Sequence, residues 1–185
     1  MNLDKNISKV VEMLLSGKVG AIYEGYAESG SRALGHRSII ANPTIKNGKD
    51  IVNRIKNREG FRPFAGSVLE DYADKWFDLV HINGKSPHML YTVPVLKNKR
   101  KIIPAITHID GSCRVQTVEK NTVFYNIIHE FFKKTKVPIL LNTSFNLAGK
   151  PLVHTFSDAE ETFYDSELFF LYNIDSNNLK VVETG

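Results

Sequence analysis

The chain has 185 residues, of which 42% are hydrophobic and 24% are charged, and its formal net charge is +4. These values are those of a soluble globular protein, and the length fits one domain with its own hydrophobic core. A single cysteine, Cys113, excludes an internal disulfide and fits a reducing compartment. The N-terminus lacks the pattern of a signal peptide and no apolar run could span a bilayer, so we expect a cytoplasmic protein without a membrane partner. The positive charge favours an anionic partner, which could be a nucleotide, a small phosphate or a nucleic acid.

The first predicted element is an amphipathic helix that ends at Gly17, followed by a strand over residues 19–24. Its apolar residues recur at a spacing of three and four: Ile7, Val10, Val11, Leu14 and Leu15. A loop with three glycines then covers residues 25–37, where Arg32 and Arg37 supply positive charge. Glycines let the backbone approach a ligand closely, although the spacing is not that of a Walker phosphate loop. An ordinary surface turn is the alternative interpretation.

A run over residues 56–67 interleaves cations with aromatic residues, after a short helix predicted over residues 49–57. The cations are Lys56, Arg58 and Arg62, and the residues between and after them include Phe61, Pro63 and Phe64. Guanidinium groups bind phosphate or carboxylate with two parallel hydrogen bonds, and packed rings hold those groups in place. The run therefore predicts a site for a compact anion. The alternative is a helix end packed on the core with its arginines in solvent.

A second polar stretch covers residues 106–118, after a strand predicted over residues 88–96 and a basic turn over residues 97–101. We interpret this stretch as a bulged strand with a break at residues 110–111. One rim of this strand would then be polar, with the side chains of His108, Asp110, Arg114 and Gln116. His108 and Asp110 could also bind a metal ion, but no third ligand has a matching spacing, so no metal site is predicted. We interpret Cys113 as a small buried strand residue rather than a nucleophile.

The longest predicted helix covers residues 121–135, and an apolar strand over residues 138–141 follows it. A wholly apolar strand is typical of the centre of a sheet. It runs directly into the polar residues Asn142, Ser144 and Asn146. Because open α/β sheets place ligands at the ends of buried strands, these residues are candidates for binding a phosphate or a carbonyl group. A turn built from common turn residues is the alternative.

The rest of the chain predicts a helix over residues 158–164 capped by Ser157, and closing strands over residues 168–172 and 179–182. Strands and helices mix without strict alternation, and no linker or repeat interrupts them. The predicted fold class is therefore α/β: a single domain with a twisted mixed sheet flanked by helices.

Four motifs occur in order at residues 28–35, 56–64, 108–118 and 142–146. Together they resemble the C-terminal domain of the O-carbamoyltransferase family, of the nodulation-protein and antibiotic-tailoring type. The resemblance covers nearly the whole chain, so residues 1–185 are interpreted as one such domain.

The resemblance implies a YrdC-like fold that binds carbamoyl phosphate and MgATP and yields carbamoyl-adenylate. In this family an actin-like ATPase-fold domain then passes the carbamoyl group to an acceptor hydroxyl. That second domain normally precedes this one, so the chain is expected to be either an excised piece or a free-standing domain with a separate partner. The ATP brings Mg²⁺ with it.

The resemblance also implies roles for individual residues. Catalytic roles fall to Lys56, Arg62 and Arg114. Substrate-binding roles fall to Arg32, Arg58, His108, Asp110, Asn142, Ser144 and Asn146. Clustered cations would stabilise the negative charge that builds on phosphoryl oxygens when carbamate attacks the α-phosphate of ATP.

The sequence departs from the family pattern at four positions: the family usually has proline at Ser31, asparagine at His36, proline at Gly66 and an acidic residue at Lys150. Ser31 and Gly66 are expected to loosen loops that proline would stiffen. Two other functions remain open, namely a basic module that binds RNA and a domain that only docks onto an actin-like ATPase-fold subunit. Nucleic acid is the less favoured partner, because aromatic residues suited to base stacking do not follow the basic positions.

Overall fold

The computed structural model describes residues 5–28, 30 and 32–182. Within these residues one sheet contains eight strands: β1 (Gly20–Tyr23), β2 (Arg37–Ala41), β3 (Ala65–Leu69), β4 (Tyr91–Pro94), β5 (Ser112–Val118), β6 (Ile139–Ser144), β7 (Phe170–Asn173) and β8 (Asn178–Val181). The same residues form four α-helices: α1 (Lys5–Leu15), α2 (Gly48–Ile55), α3 (Val123–Thr135) and α4 (Phe156–Tyr164). Two short 3₁₀ helices cover Glu70–Lys75 and Val80–Ile82.

The strands lie in the order β4-β5-β3-β6-β2-β1-β7-β8. The pairs β1–β7 and β3–β5 are parallel, and the other neighbouring pairs are antiparallel. The predicted single α/β domain with a mixed sheet is thus confirmed. Strand β6 lies at the centre, as its apolar sequence indicated, and Ile139, Leu140 and Leu141 are fully buried.

The two longest helices follow the hydrophobic periodicity of the sequence. Helix α1 buries Ile7, Val10, Val11 and Leu14, and it packs against α3. Helix α3 begins after Thr122, whose side chain accepts a hydrogen bond from the Tyr125 N–H. Such a cap satisfies one of the unpaired donors at a helix start. Among the described residues, no helix has the length and apolar character needed to cross a bilayer.

Two local predictions were wrong, and one strand was not predicted. Strand β2 begins at Arg37, where the predicted loop ends, and all five of its residues are buried. Residues 106–109 form turns rather than strand, and Ile109 is fully exposed. Helix α4 is capped by Thr155, not by Ser157, because Thr155 and Asp158 exchange side-chain-to-backbone hydrogen bonds in a capping box.

Replacing Gly35 with alanine should destabilise the domain by about 2–4 kcal/mol. Gly35 has a φ of +118°, and an added Cβ would lie 2.6 Å from Cδ1 of Phe124 at the start of α3. Both the backbone conformation and the overlap therefore oppose a side chain. Urea unfolding would measure the loss. Gly30→Ala is the matched control, because its φ is +131° but, its chain neighbours aside, no atom of the described residues lies within 4 Å of the added Cβ. Equal losses in the two variants would show that the contact with Phe124 is unimportant.

Candidate functional site

A cavity of about 540 Å³ opens where the segment after α2 meets the end of β6. Its lining comes from residues 56–59, 62, 144 and 146–149, and we call it the cationic cavity. The two segments are joined by backbone, since the Ala148 N–H donates to the Lys56 carbonyl at 2.9 Å. Helix α2 and the central strand β6 thus place two of the predicted motifs, residues 56–64 and 142–146, side by side.

Lys56 lies at the inner wall of this cavity and is only 3% exposed. Its Nζ donates to the Ser144 carbonyl at 2.5 Å, to the Asn146 carbonyl at 2.8 Å and to Asn146 Oδ1 at 3.0 Å. Burial, and then the charge of Arg58, lower the pKa of Lys56 to about 7. Three oxygen acceptors match the three donors of an ammonium group, so these bonds hold Nζ in place when it is protonated.

The stability of the ligand-free chain should rise with pH because of Lys56. The native pKa is about 7 and the ordinary value is 10.5, so between these values the unfolded chain holds a proton that the native chain lacks. Stability therefore increases from pH 7 towards pH 10.5, and this contribution is flat below pH 7. Chemical unfolding across this pH range would give the free energy of unfolding of the parent and of Lys56→Met. The difference between the two free energies isolates the contribution of Lys56. A difference that does not change with pH would contradict the assignment.

Arg58 and Arg62 lie at the mouth of the cavity. The Arg58 Nε donates to Asn53 Oδ1 at 2.7 Å, and its guanidinium carbon lies 4.4 Å from the centre of the Phe64 ring. Arg58 Nη2 is buried and has no hydrogen-bond partner in the described part of the chain. Arg62 is about half exposed and pairs with Glu59 at 2.8 Å. Exposed pairs of this kind are weak, so Arg62 can turn to a ligand at little cost.

Arg114 extends the positive charge from the cavity along strand β5. Burial, and then the charge of Arg32, lower the pKa of the Arg114 guanidinium, and Arg114 in turn contributes to the lowered pKa of Arg58. The Nε of Arg114 is buried without a hydrogen-bond partner among the residues described. Arg32, Arg114, Arg58 and Arg62 therefore form one electrostatically connected group. Such a group is stabilised by an anion that neutralises it.

Ser144 and Asn146 are held on the same inner wall as Lys56. The Ser144 hydroxyl donates to Asn146 Oδ1 at 2.7 Å, and Asn146 Nδ2 donates to the Lys150 carbonyl at 2.9 Å. The alternative interpretation of residues 142–146 as a simple turn is wrong for the first three residues, which belong to β6. These polar side chains orient Lys56 as well as lining the cavity.

Three predicted substrate-binding residues lie elsewhere. Asn142 is 1% exposed and donates to the Ala33 carbonyl beneath the first loop. His108 is bonded between the Phe64 carbonyl and the Ser112 hydroxyl. His108 and Asp110 line a separate cavity of about 530 Å³ with apolar walls. The predicted common rim with Arg114 and Gln116 is therefore wrong, because His108 and Asp110 precede β5 in a turn and Gln116 is buried.

Arg37 was expected to supply positive charge for a ligand, but its side chain is used within the fold. It is 1% exposed, lies 3.5 Å over the Tyr23 ring, and among the described residues donates hydrogen bonds only to backbone carbonyls. These carbonyls belong to Glu24, Gly25, His36 and His154. Arg37 is thus a structural residue that ties the first loop to the segment after β6.

The carboxylate of Glu28, to which no role was assigned from the sequence, organises the same loop. Glu28 Oε1 accepts the N–H groups of Leu34 at 2.7 Å, His36 at 2.8 Å and Arg37 at 3.2 Å. Three amide donors on one oxygen fix the curve of the backbone after Arg32. An acidic residue within a loop with three glycines was the sequence feature that could have indicated this role. The backbone donors that it meets depend on the folded turn.

The departures from the family pattern have separate outcomes. Gly66 lies inside β3, where an added Cβ would be 2.7 Å from Ile106 Cδ1, so the expectation that it loosens a loop is wrong. His36 lies 3.6 Å from Glu24, and Lys150 lies 3.3 Å from Asp165. Ser31 lies outside the described residues.

Neither cysteine nor metal chemistry is indicated by the residues described. Cys113 is fully buried, and burial raises the pKa of its thiol to about 12, in line with its interpretation as a packed strand residue. The described residues contain no group of three or more His, Cys, Asp or Glu arranged to hold a metal ion.

The family model described as "Carbamoyltransferase C-terminus" matches residues 11–177. The chain belongs to this family. A relative of this carbamoyltransferase domain, the Nodulation protein NolNO of Sinorhizobium fredii, is 44% identical over 168 residues, which cover 89% of this chain and 25% of that protein. The domain thus spans about a quarter of the length of this curated relative.

Two solved structures share the fold of this carbamoyltransferase domain. T. kodakarensis HypF has a TM-score of 0.61 at 16% identity, covering 95% of this chain and 24% of that one. P. abyssi Sua5, in complex with L-threonine, has a TM-score of 0.58 at 13% identity, covering 96% of this chain and 53% of that one. Identities this low show the fold alone, and the two TM-scores confirm the YrdC-like fold.

Proposed function

We propose that this carbamoyltransferase-family domain binds carbamoyl phosphate and MgATP and forms carbamoyl-adenylate. The observation that supports it most is a pair of buried cationic donors that have no hydrogen-bond partner in the described part of the chain: Arg58 Nη2 at the cationic cavity, and the Nε of Arg114, whose charge acts on Arg58. A buried donor without an acceptor costs about 1–3 kcal/mol, and more when it is charged. Phosphate and carboxylate oxygens would satisfy these donors.

The residues present fit a nucleotide with its metal ion as substrate. Lys56, Ser144 and Asn146 form the inner wall, where the ammonium charge of Lys56 suits the phosphate chain of ATP. In the described residues no carboxylate cluster would hold Mg²⁺ independently, so the ion would enter with the nucleotide phosphates. Arg32 and Arg114, further along the sheet, would bind carbamoyl phosphate or the carbamate made from it.

The proposed reaction has two steps. Water adds to the carbonyl carbon of carbamoyl phosphate, the bond from that carbon to the phosphate oxygen breaks, and inorganic phosphate leaves with the electron pair. One proton of the water goes to the phosphate and the other to solvent. A carbamate oxygen then attacks the α-phosphorus of ATP, the bond from that phosphorus to the bridging oxygen breaks, and pyrophosphate leaves. Lys56, Arg62 and Arg114 would stabilise the charge on the phosphoryl oxygens, and no protein nucleophile is required.

The carbamoyl group would then pass to a second domain. The relative NolNO is about four times longer than the region matched here, so other parts of such proteins lie outside this fold. We propose that an actin-like ATPase-fold domain or subunit receives the carbamoyl-adenylate and transfers its carbamoyl group to an acceptor hydroxyl.

The test is incubation of the purified chain with carbamoyl phosphate and MgATP, followed by measurement of pyrophosphate and of the adenylate by mass spectrometry. Pyrophosphate release that requires carbamoyl phosphate and is lost in Arg62→Ala would support the proposal. Arg54→Gln is the control variant, since Arg54 pairs with Glu167 at the surface outside the cavity. A chain that neither releases pyrophosphate nor binds ATP in calorimetry would overturn the proposal and favour a docking domain.

A further inference from the structure

Four polar side chains cross the middle of the sheet on neighbouring strands, where apolar residues are the norm. Ser38 on β2, Ser67 on β3, Gln116 on β5 and Asn142 on β6 are each at most 5% exposed. We call them the polar strip. The strand register places them together, because Ser67 pairs with Gln116, and Asn142 is opposite Ala65, two residues before Ser67.

Three members of the polar strip are bonded to one another. The Ser67 hydroxyl donates to Gln116 Oε1 at 2.6 Å, and Asn142 Nδ2 donates to the Ser67 hydroxyl at 2.9 Å and to Gln116 Oε1 at 3.2 Å. Every donor of the network has an acceptor, while Asn142 Oδ1 is buried without a hydrogen-bond partner in the described part of the chain. Hydrogen bonds of this kind in a low-dielectric interior restrict the side chains that make them.

The polar strip also holds three consecutive residues of the first loop. Asn142 donates to the Ala33 carbonyl at 3.1 Å, and Gln116 Nε2 donates to the Leu34 carbonyl at 2.8 Å. The Gly35 N–H donates to the Ser38 hydroxyl at 3.0 Å. The backbone directly after Arg32 is therefore fastened to the sheet by side chains from three strands.

The same strands present residues of the candidate site. Gln116 lies two positions from Arg114 on β5, and Asn142 lies two positions from Ser144 on β6. Since alternate residues of a strand face the same side, each strand carries one site residue and one strip residue on a single face. A shift of the loop relative to the sheet would change the separation between Arg32 and Arg114, whose charges already interact.

We propose that the polar strip positions Arg32 opposite Arg114, so that Ser67, Gln116 and Asn142 are positioning residues for the anion bound between the two arginines. This inference rests on the proposed function for the identity of the anion, although not for the attachment of the loop. Replacement of the strip by apolar residues would preserve a packed core and still misplace one guanidinium group. A displacement of about 1 Å is enough to weaken a preorganised site strongly.

The test is a double-mutant cycle with Gln116→Met and Arg32→Ala in the full chain. The calorimetric probe is inorganic pyrophosphate, which offers the same kind of phosphate oxygens as carbamoyl phosphate. Gln116→Met keeps the side-chain volume but removes the bond to Leu34 and the acceptor for Ser67. We expect pyrophosphate affinity to fall about five- to tenfold in the parent background and less than about twofold in the Arg32→Ala background. Equal losses in both backgrounds would overturn the proposal.

Two further variants separate positioning from general destabilisation. Thr117→Val, like Gln116→Met, removes a buried polar group from β5. The Thr117 hydroxyl accepts a hydrogen bond from the Ser86 N–H rather than from the loop, so pyrophosphate affinity should not change. Ser67→Ala removes the bridge between Gln116 and Asn142 with little change in volume, and should weaken affinity in the same direction as Gln116→Met. A loss in Thr117→Val as large as that in Gln116→Met would contradict the inference.

Amide hydrogen exchange of residues 33–36 distinguishes failure of this inference from failure of the proposed function. The measurement needs no ligand. Faster exchange in Gln116→Met, with parent-like exchange in Thr117→Val, would support attachment of the loop by the strip even in a chain that binds no pyrophosphate. Unchanged exchange in Gln116→Met would overturn the positioning role whatever the chain binds.

Discussion

Replacing Lys56 with methionine should weaken MgATP binding about 100-fold, with the fold retained. The lysine Nζ is held against Ser144 and Asn146 at the inner wall of the cationic cavity, where water is largely excluded. A hydrogen bond to a charged group contributes about 1.5–3 kcal/mol, and Lys56 would exchange one of its three oxygen acceptors for a phosphate oxygen. Isothermal titration calorimetry would measure the affinity, and circular dichroism would check the fold.

Lys46→Met is the matched control for this prediction, because Lys46 is exposed and outside the cavity. Its affinity for MgATP should equal that of the parent. Because the pKa of Lys56 is lowered to about 7, the parent should also lose MgATP affinity as the pH rises above 7, and Lys56→Met should not. Parent-like affinity in Lys56→Met would exclude the inner wall as the phosphate site.

Replacing Arg114 with glutamine should lower the rate of pyrophosphate release by about 10²–10³ while raising thermal stability. Arg114 is partly buried and lies near other positive charges. Its guanidinium interacts with that of Arg32 and contributes to the lowered pKa of Arg58. Removing one like charge relieves repulsion in the free domain. The substitution also removes the buried Nε of Arg114, which has no hydrogen-bond partner in the described part of the chain.

The stability gain should be about 2–4 °C in melting temperature, which corresponds to roughly 1 kcal/mol in a domain of this size. Gains of stability with loss of activity are typical of residues retained for function. Arg54→Gln, which removes an exposed arginine paired with Glu167, should change neither property appreciably. If Arg114→Gln lowered stability instead, Arg114 would be a structural residue and its proposed catalytic role would be wrong.

The features that sequence alone predicted are those that depend on short stretches of chain. Helices α1 and α3 follow local hydrophobic periodicity, and β6 follows from an unbroken apolar run. The motif with Lys56, Arg58 and Arg62 and the polar residues after the apolar run were recognisable because each lies within a few positions. Their chemistry, clustered cations beside hydroxyl and amide groups, was therefore predictable before any contact was known.

Only the tertiary structure decided which of these side chains meet. Arg37 and Arg114 are the same type of residue in similar polar stretches, but Arg37 is surrounded by backbone carbonyls and Arg114 by other arginines. Asn142 and Gln116 face the underside of a loop that is 82 to 109 positions away in sequence. Such neighbours arise from strand order and register, which bring distant segments together through many small packing terms. No local pattern in the chain specifies them.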